Sequence, residues 1–182
     1  MAFCSIDAYL YSEFSMIQIL KHFLFSKKMV VQRRFLTVGE KKLAFEVFAE
    51  HLKLDQIEIV AHRLMLRHYA MSPNGNVYFH PKDWVEDFSK ESIATQSWLI
   101  HELTHVWQVQ QGMALIRKAL FDRRYRYVLK EGKKFLQYGV EQQAQMVQDY
   151  FLKSKTGQSC QDLADCIPFI AASMPIKNQK LL

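Results

Sequence analysis

Glycine and proline are scarce, with six and four in 182 residues. That excludes collagen-like and low-complexity chains and leaves little room for long irregular loops. Cysteine is scarcer still. Cys4, Cys160 and Cys166 form no CxxC pair and cannot all bridge within one chain. A disulfide framework is excluded, a cysteine-ligated zinc site is disfavoured, and at most one Cys160–Cys166 bridge is expected. Long apolar runs are missing too. The most apolar early run, "MIQILKHFLF", carries Lys21 and His22 and is too short to cross a bilayer. No basic leader with a small-residue cleavage site precedes it, and "RRF" at 33–35 leads into "LTVGEKK", not a hydrophobic region. The expectation is a cytoplasmic protein, or one exported by a route that needs no cleaved signal.

What is present suits one domain. The chain is 49% hydrophobic and 13% aromatic, enough for one core and incompatible with intrinsic disorder. The formal net charge is +6. Part of that excess is local, in Arg117, Lys118, Arg123, Arg124, Arg126, Lys130, Lys133 and Lys134 against Asp122 and Glu131. The plain reading is a solvated helix face; the sharper one is a surface for an anionic polymer. No motif that reads DNA or RNA accompanies the patch, so nucleic acid ranks last among the partners.

Residues 1–30 are aromatic, end in "SKKM" and read as a loosely attached extension, or as sequence upstream of a start at Met29. Residues 31–182 read as a single domain. Thr37 with Glu40 forms a capping box, and Ala44, Val47, Phe48 and Leu52 continue at helical spacing, predicting a helix over 38–53. "IEIV" at 57–60 predicts a short strand. "PNG" at 73–75 predicts a turn, and "NVYFHP" a strand stopped by Pro81, with Val77 and Phe79 on one face and Tyr78 and His80 on the other. A second helix is expected from Ser89 or Ser92 to Gly112, a third over roughly 113–135 and a fourth over about 139–154. Beyond Gly157 a short helix and a loose end are expected. The class is α+β: mostly helical, with a small antiparallel sheet beside the second helix.

The second helix holds "HELTHVWQ", residues 101–108. At about 100° per residue, His105 lies ~40° from His101 and one turn further, so both imidazoles can reach one ion. Glu102 lies ~100° from His101, where it can touch a water held by that ion without being a ligand. Leu99, Leu103, Val106, Trp107 and Ile100 centre the apolar stripe on the opposite side. Zinc with a bound water needs a third protein ligand. Gln108 and Gln111 stand where the metzincin extension would put glycine and histidine, so that class is excluded. A carboxylate on a later helix is the alternative. In "GVEQQAQMVQDYF" the buried stripe is Val140, Ala144, Val147 and Phe151, and Glu141 borders it beside the small Ala144. Glu141 is therefore the first choice for third ligand, ahead of Glu131 and Asp149.

On "HELTHVWQ" and "EQQA" the chain resembles the zincins, and within them the gluzincin group of zinc metallopeptidases. Over roughly residues 36–153 it is also similar to small bacterial Vgr-related proteins associated with type VI secretion and related contractile injection systems. The resemblance implies one Zn2+ per chain held by His101, His105 and Glu141, with Glu102 as general base. It implies hydrolysis of peptide bonds in a peptide, protein or peptidoglycan-peptide substrate. Tyr125, Tyr127, Tyr138 and His80 are all open as the group that braces the oxyanion. An exposed sheet edge would take the substrate, and the strand near 76–80 is the candidate. One departure stands out. Thermolysin-like enzymes carry an aspartate four residues after the glutamate ligand to orient a histidine; this chain has Gln145, which can accept from an imidazole but brings no charge. The competing expectation is a non-catalytic zinc-binding accessory or adaptor of a secretion system.

Overall fold

The computed structural model describes residues 27–113 and 124–171. After a 3-10 turn come β1 (Val30–Phe35), α1 (Val38–Phe48), β2 (Glu58–His62), β3 (Ala70–Met71) and β4 (Val77–Phe79). Then follow α2 (Ile93–Gln110), α3 (Val140–Lys155), α4 (Gln161–Cys166) and α5 (Pro168–Ala171). The class is α+β, as expected. Its four-stranded sheet has the order β1-β2-β4-β3 and is mixed, since β2 and β4 run parallel while the outer pairs are antiparallel. The purely antiparallel sheet expected from sequence is corrected by that central pair. Among the described residues no helix is long and apolar enough to cross a membrane.

α1 begins with the expected capping box. The Glu40 amide donates to Thr37 Oγ1 over 3.1 Å, and the Thr37 amide donates to Glu40 Oε2 over 2.8 Å. The helix stops at Phe48, short of 53, because Ala49 turns to φ 46°. Strand alternation follows the sequence. Val77 and Phe79 enter the main core, whereas Tyr78 joins Val60 and Met65 on the other face. Two strands lacked a sequence signal. β3 has only two residues, and β1, "VVQRRF", is largely exposed along an edge.

Ser92 caps α2, accepting from the Thr95 amide over 3.2 Å. The helix ends at Gly112, whose φ of +77° suits a residue without a Cβ. α3 lies against α2 and runs antiparallel to it, since Gln108 meets Val140 and Gln143 while Ser97 meets Gln148. Val140, Ala144, Val147 and Phe151 are buried, as their spacing predicts.

The expected helix over 113–135 needs correction. Residues 114–123 lie outside the described set. Residues 124–134 are irregular, with a turn at Glu131–Gly132, followed by a 3-10 turn at Phe135–Gln137. Gly132 takes φ +74°, which a helix interior does not allow, and Tyr138 pins the segment by donating to the Val128 carbonyl and accepting from the Lys130 amide. Lys130, Lys133 and Lys134 therefore sit on a loop, not a helix face; Arg117, Lys118, Asp122 and Arg123 lie outside the described residues. Beyond Gly157 the chain forms two short helices that belong to the core. The Phe169 ring lies 5.1 Å from that of Phe48 and 5.0 Å from that of Trp107. Cys160 and Cys166 are both free thiols, so the allowed bridge is not formed.

Candidate metal centre

α2 is enclosed on most sides, with Ser97 and every residue from Leu99 to Gln108 buried. The apolar stripe enters the core and the two histidines face α3 across the floor of a cleft. Their Nε2 atoms converge on one oxygen: Glu141 Oε2 is 3.5 Å from His101 Nε2 and 3.2 Å from His105 Nε2. Glu141 stands in the first turn of α3, where the helix dipole favours a carboxylate. One ligand-capable atom from each of the three residues lies within 4.8 Å of the other two. A tetrahedral zinc ion with ligands at about 2.0–2.1 Å sets its ligand atoms ~3.3–3.5 Å apart. The two spacings to Glu141 match that edge length, and two imidazoles with one carboxylate form a donor set that zinc accepts. The residues present fit the ion.

The hydrogen-bond network defines the tautomers. Gln108 Nε2 donates to the Val140 carbonyl over 3.0 Å and to Gln143 Oε1 over 2.9 Å. A backbone carbonyl only accepts, so the amide nitrogen of Gln108 must lie on that side. Its oxygen then faces His105 Nδ1 at 2.8 Å, and that nitrogen carries the proton. The same reasoning holds on the other ring. Ser97 Oγ donates to the Ala94 carbonyl, so it accepts from Gln148 Nε2, and Gln148 Oε1 faces His101 Nδ1 at 3.0 Å. Both rings thus donate from Nδ1 and turn Nε2 toward the shared point, where at His105 a proton shared with Glu141 holds the place a cation would take.

Electrostatics favour a cation there. Burial works against a charged His105, but the hydrogen bond that its Nε2–H donates to Glu141 and the charges of Glu102 and Glu141 outweigh it and raise the imidazole to about 9. Burial likewise opposes ionisation of Glu141, yet its hydrogen bonds and charge interactions with the two histidines hold the carboxyl down at about 2.

Glu102 is buried beside the histidines, and its Oε2 accepts from Ser72 Oγ over 2.9 Å. The cleft above has a cavity volume of about 110 Å3. Its walls include Met71, Ser72, Pro73, Tyr125 and Val140, and its floor His101, Glu102, His105 and Glu141. Of the four oxyanion candidates, Tyr125 reaches this cleft, with its ring stacked on His101 at 6.0 Å. The others are engaged elsewhere. Tyr127 donates to Asp149 over 2.7 Å, Tyr138 pins the 128–130 segment, and His80 Nδ1 accepts from the Lys82 amide. Burial, with help from Asp149, pushes the Tyr127 hydroxyl well above its ordinary value.

Two sequence expectations are corrected. Gln145 does not orient a histidine; its amide donates to Asp149 over 2.8 Å, and Gln148 and Gln108 hold the rings instead. Helical phase gives the reason. Gln148, seven residues after Glu141, returns to within ~20° of it, whereas Gln145 falls ~40° to the other side. Gln108 could have been found at i+3 from His105 on the same helix face. The edge assigned to the strand near 76–80 is the second correction. β4 lies between β2 and β3, and the edge beside the cleft is β3. Ser72 carried no sequence signal, standing thirty residues before its partner.

No family model matches the chain. Among curated proteins it is 35% identical over 139 residues to the type VI secretion system spike protein VgrG2b of Pseudomonas aeruginosa strain PAO1. That match takes in 69% of this chain but 14% of the spike protein, so the chain spans a small part of its relative. Among solved structures it superposes on the effector domain of Pseudomonas aeruginosa VgrG2b with a TM-score of 0.68 and 29% identity, covering 85% of this chain and 92% of that one. Sequence and fold agree: the chain is homologous to the VgrG2b effector domain along nearly the whole of that domain.

Proposed function

We propose that this chain is a zinc-dependent peptide hydrolase that works as an effector of type VI secretion. His101, His105 and Glu141 hold the ion, and Glu102 is the general base. The observation that carries the reading is the placement of both imidazoles by Gln108 and Gln148, which turns each Nε2 toward Glu141 Oε2. A zinc ion held in this cage would acidify water and polarise a carbonyl. Glu102, buried beside the histidines and lining the cleft, accepts a proton from the attacking water and returns it to the leaving amine. Tyr125 lines the same cleft and would brace the developing oxyanion. The substrate is a peptide, protein or peptidoglycan peptide seated against the wall formed by β3. Homology to an effector domain supports the secretion context, and other components of such a system are the expected partners.

Metal analysis of the purified protein and four variants tests this. Wild type and Glu102→Gln should each hold about one zinc per chain, and His101→Ala, His105→Ala and Glu141→Ala should lose it. Glu102→Gln should also abolish peptide cleavage. Zinc retained by Glu141→Ala would sink the ligand assignment.

A second reading has its own support: both amides behind the histidines are neutral, where a carboxylate would strengthen the ligands. On that reading the chain is a zinc-binding accessory or adaptor of the secretion system without catalysis. Glu102→Gln then leaves its activity in secretion unchanged.

A further inference from the structure

Glu102 stands on a rigid helix, but its carboxylate does not inherit that rigidity. The last torsion of a glutamate is broad and roughly two-fold, so either oxygen can point at a neighbouring water over a wide range of angles. One hydrogen bond removes that freedom. Ser72 Oγ donates to Glu102 Oε2 over 2.9 Å, and both residues are buried. Among the described residues Ser72 is the donor that this carboxylate meets. Oε1 meets no protein donor among the described residues, and Glu102 lines the cleft, so its lone pairs are open to solvent there.

The position of Ser72 in the chain adds to this. It directly follows β3, the edge strand, and precedes Pro73, and all of Ala70, Met71, Ser72 and Pro73 line the cleft. β3 is held by two residue pairs with β4, Ala70 with Phe79 and Met71 with Tyr78. The wall that a bound peptide would press against therefore carries, at its end, the hydroxyl that aims the base.

Resting on the peptidase reading above, we propose that Ser72 is a positioning residue for Glu102. Its hydroxyl fixes Oε1 as the proton-accepting oxygen and ties the aim of the base to the cleft wall along which substrate lies. Ser72 is not one of the three residues grouped as candidate ligands, so metal holding should be independent of it.

The test uses the full chain loaded with zinc. A degenerate peptide library read by mass spectrometry supplies the fastest-cleaved peptide, and kcat and KM are measured on it for wild type, Ser72→Ala, Ser72→Thr and Glu102→Gln. Ser72→Ala should lower kcat about tenfold or more, with KM within about twofold. Ser72→Thr, which keeps the hydroxyl, should recover most of that loss. Zinc affinity should match wild type in both Ser72 variants, and a fall in kcat at unchanged KM that Ser72→Thr reverses is a readout that a merely structural role would not move. A crystal structure of zinc-loaded Ser72→Ala should show the Glu102 carboxylate rotated or in two orientations. Wild-type kcat in Ser72→Ala, or a Glu102 carboxylate unmoved in that crystal, overturns the proposal. Wild-type turnover in Glu102→Gln overturns the peptidase reading itself. If wild type cleaves no peptide in the library, the crystal of Ser72→Ala decides alone whether the hydroxyl positions the carboxylate.

Discussion

Gln148 Oε1 lies 3.0 Å from Nδ1 of His101, and it comes from the same helix as Glu141. α3 therefore supplies one candidate ligand and also the group that orients another. Gln148→Ala should leave the His101 ring free to rotate and weaken zinc binding about 10–100-fold. Gln148→Glu, which puts a charge behind the imidazole, should tighten it relative to wild type. Competition with a chromophoric chelator measures both. Equal affinities across the three proteins would show that the amide does not control the ring.

Gln108 serves His105 differently. It sits three residues on along α2, and its amide nitrogen also holds the Val140 carbonyl and Gln143 at the start of α3. Removing it frees a ring and also leaves buried polar groups at the helix contact unpaired, each costing about 1–3 kcal/mol. Gln108→Ala should thus lower both zinc affinity and the Tm of the chelator-treated protein, whereas Gln148→Ala should chiefly lower affinity. Thermal melts of the two variants with and without chelator separate the effects.

The charges at the centre predict a pH dependence. In the absence of metal, His105 is raised to about 9 from an ordinary 6.5, so its contribution to stability is complete below pH 6.5 and fades as pH rises through 9. Glu141 is lowered to about 2 from 4.5, so its contribution is complete above pH 4.5 and fades as pH falls through 2. Chelator-treated protein should be most stable between pH 4.5 and 6.5 as far as this pair decides. Zinc must displace the His105 proton, and that displacement becomes easier as pH rises. The Tm difference between zinc-loaded and chelator-treated protein should widen from pH 6.5 toward 9. A constant difference across that window would remove His105 from the ligand set.

The site was legible where it depends on short spacing along one helix. His101, Glu102 and His105 follow from a one-turn repeat, and Glu141 from the phase of the α3 stripe. What crosses between elements was not legible. Whether Gln145 or Gln148 meets His101 depends on the antiparallel packing of α2 against α3, which no local pattern encodes. Ser72 reaches Glu102 only because a two-residue strand ends beside the cleft. The fold shows the same division: capped, periodic helices were readable, while an edge strand such as Val30–Phe35 has too little burial to impose an alternating pattern. The segment 124–134 misled for another reason. Its charges suit a helix surface, but Gly132 at positive φ and the hydrogen bonds of Tyr138 hold it as a loop.

A buried ion pair offers a stability test away from the centre. Glu40 is fully buried and accepts two 2.7 Å bonds from Arg34, as well as bonds from the backbone amides of Thr37 and Phe88. It joins β1, the start of α1 and the loop that leads to α2. Glu40→Ala strands the Arg34 cation and two amides, and should cost about 3–5 kcal/mol. Urea unfolding followed by circular dichroism measures this. A loss below about 1 kcal/mol would mean that water replaces the carboxylate without difficulty.

Phe169 gives the last prediction, because it ties the end of the described chain to α2. Its ring packs on Phe48, Trp107 and Phe135, and Trp107 lies two residues beyond His105. Phe169→Ala should cost about 3–5 kcal/mol by emptying that space. The ring does not contact the histidines' ligand atoms, so the folded variant should keep its affinity for zinc, and saturating zinc should recover part of the lost stability by binding only the native state. Urea titrations with zinc and with chelator test both points. A variant that unfolds at the wild-type midpoint would show that α4 and α5 decorate the core without closing it, and one that folds but no longer holds zinc would mean that the packing of Trp107 sets the angle of the His105 ring.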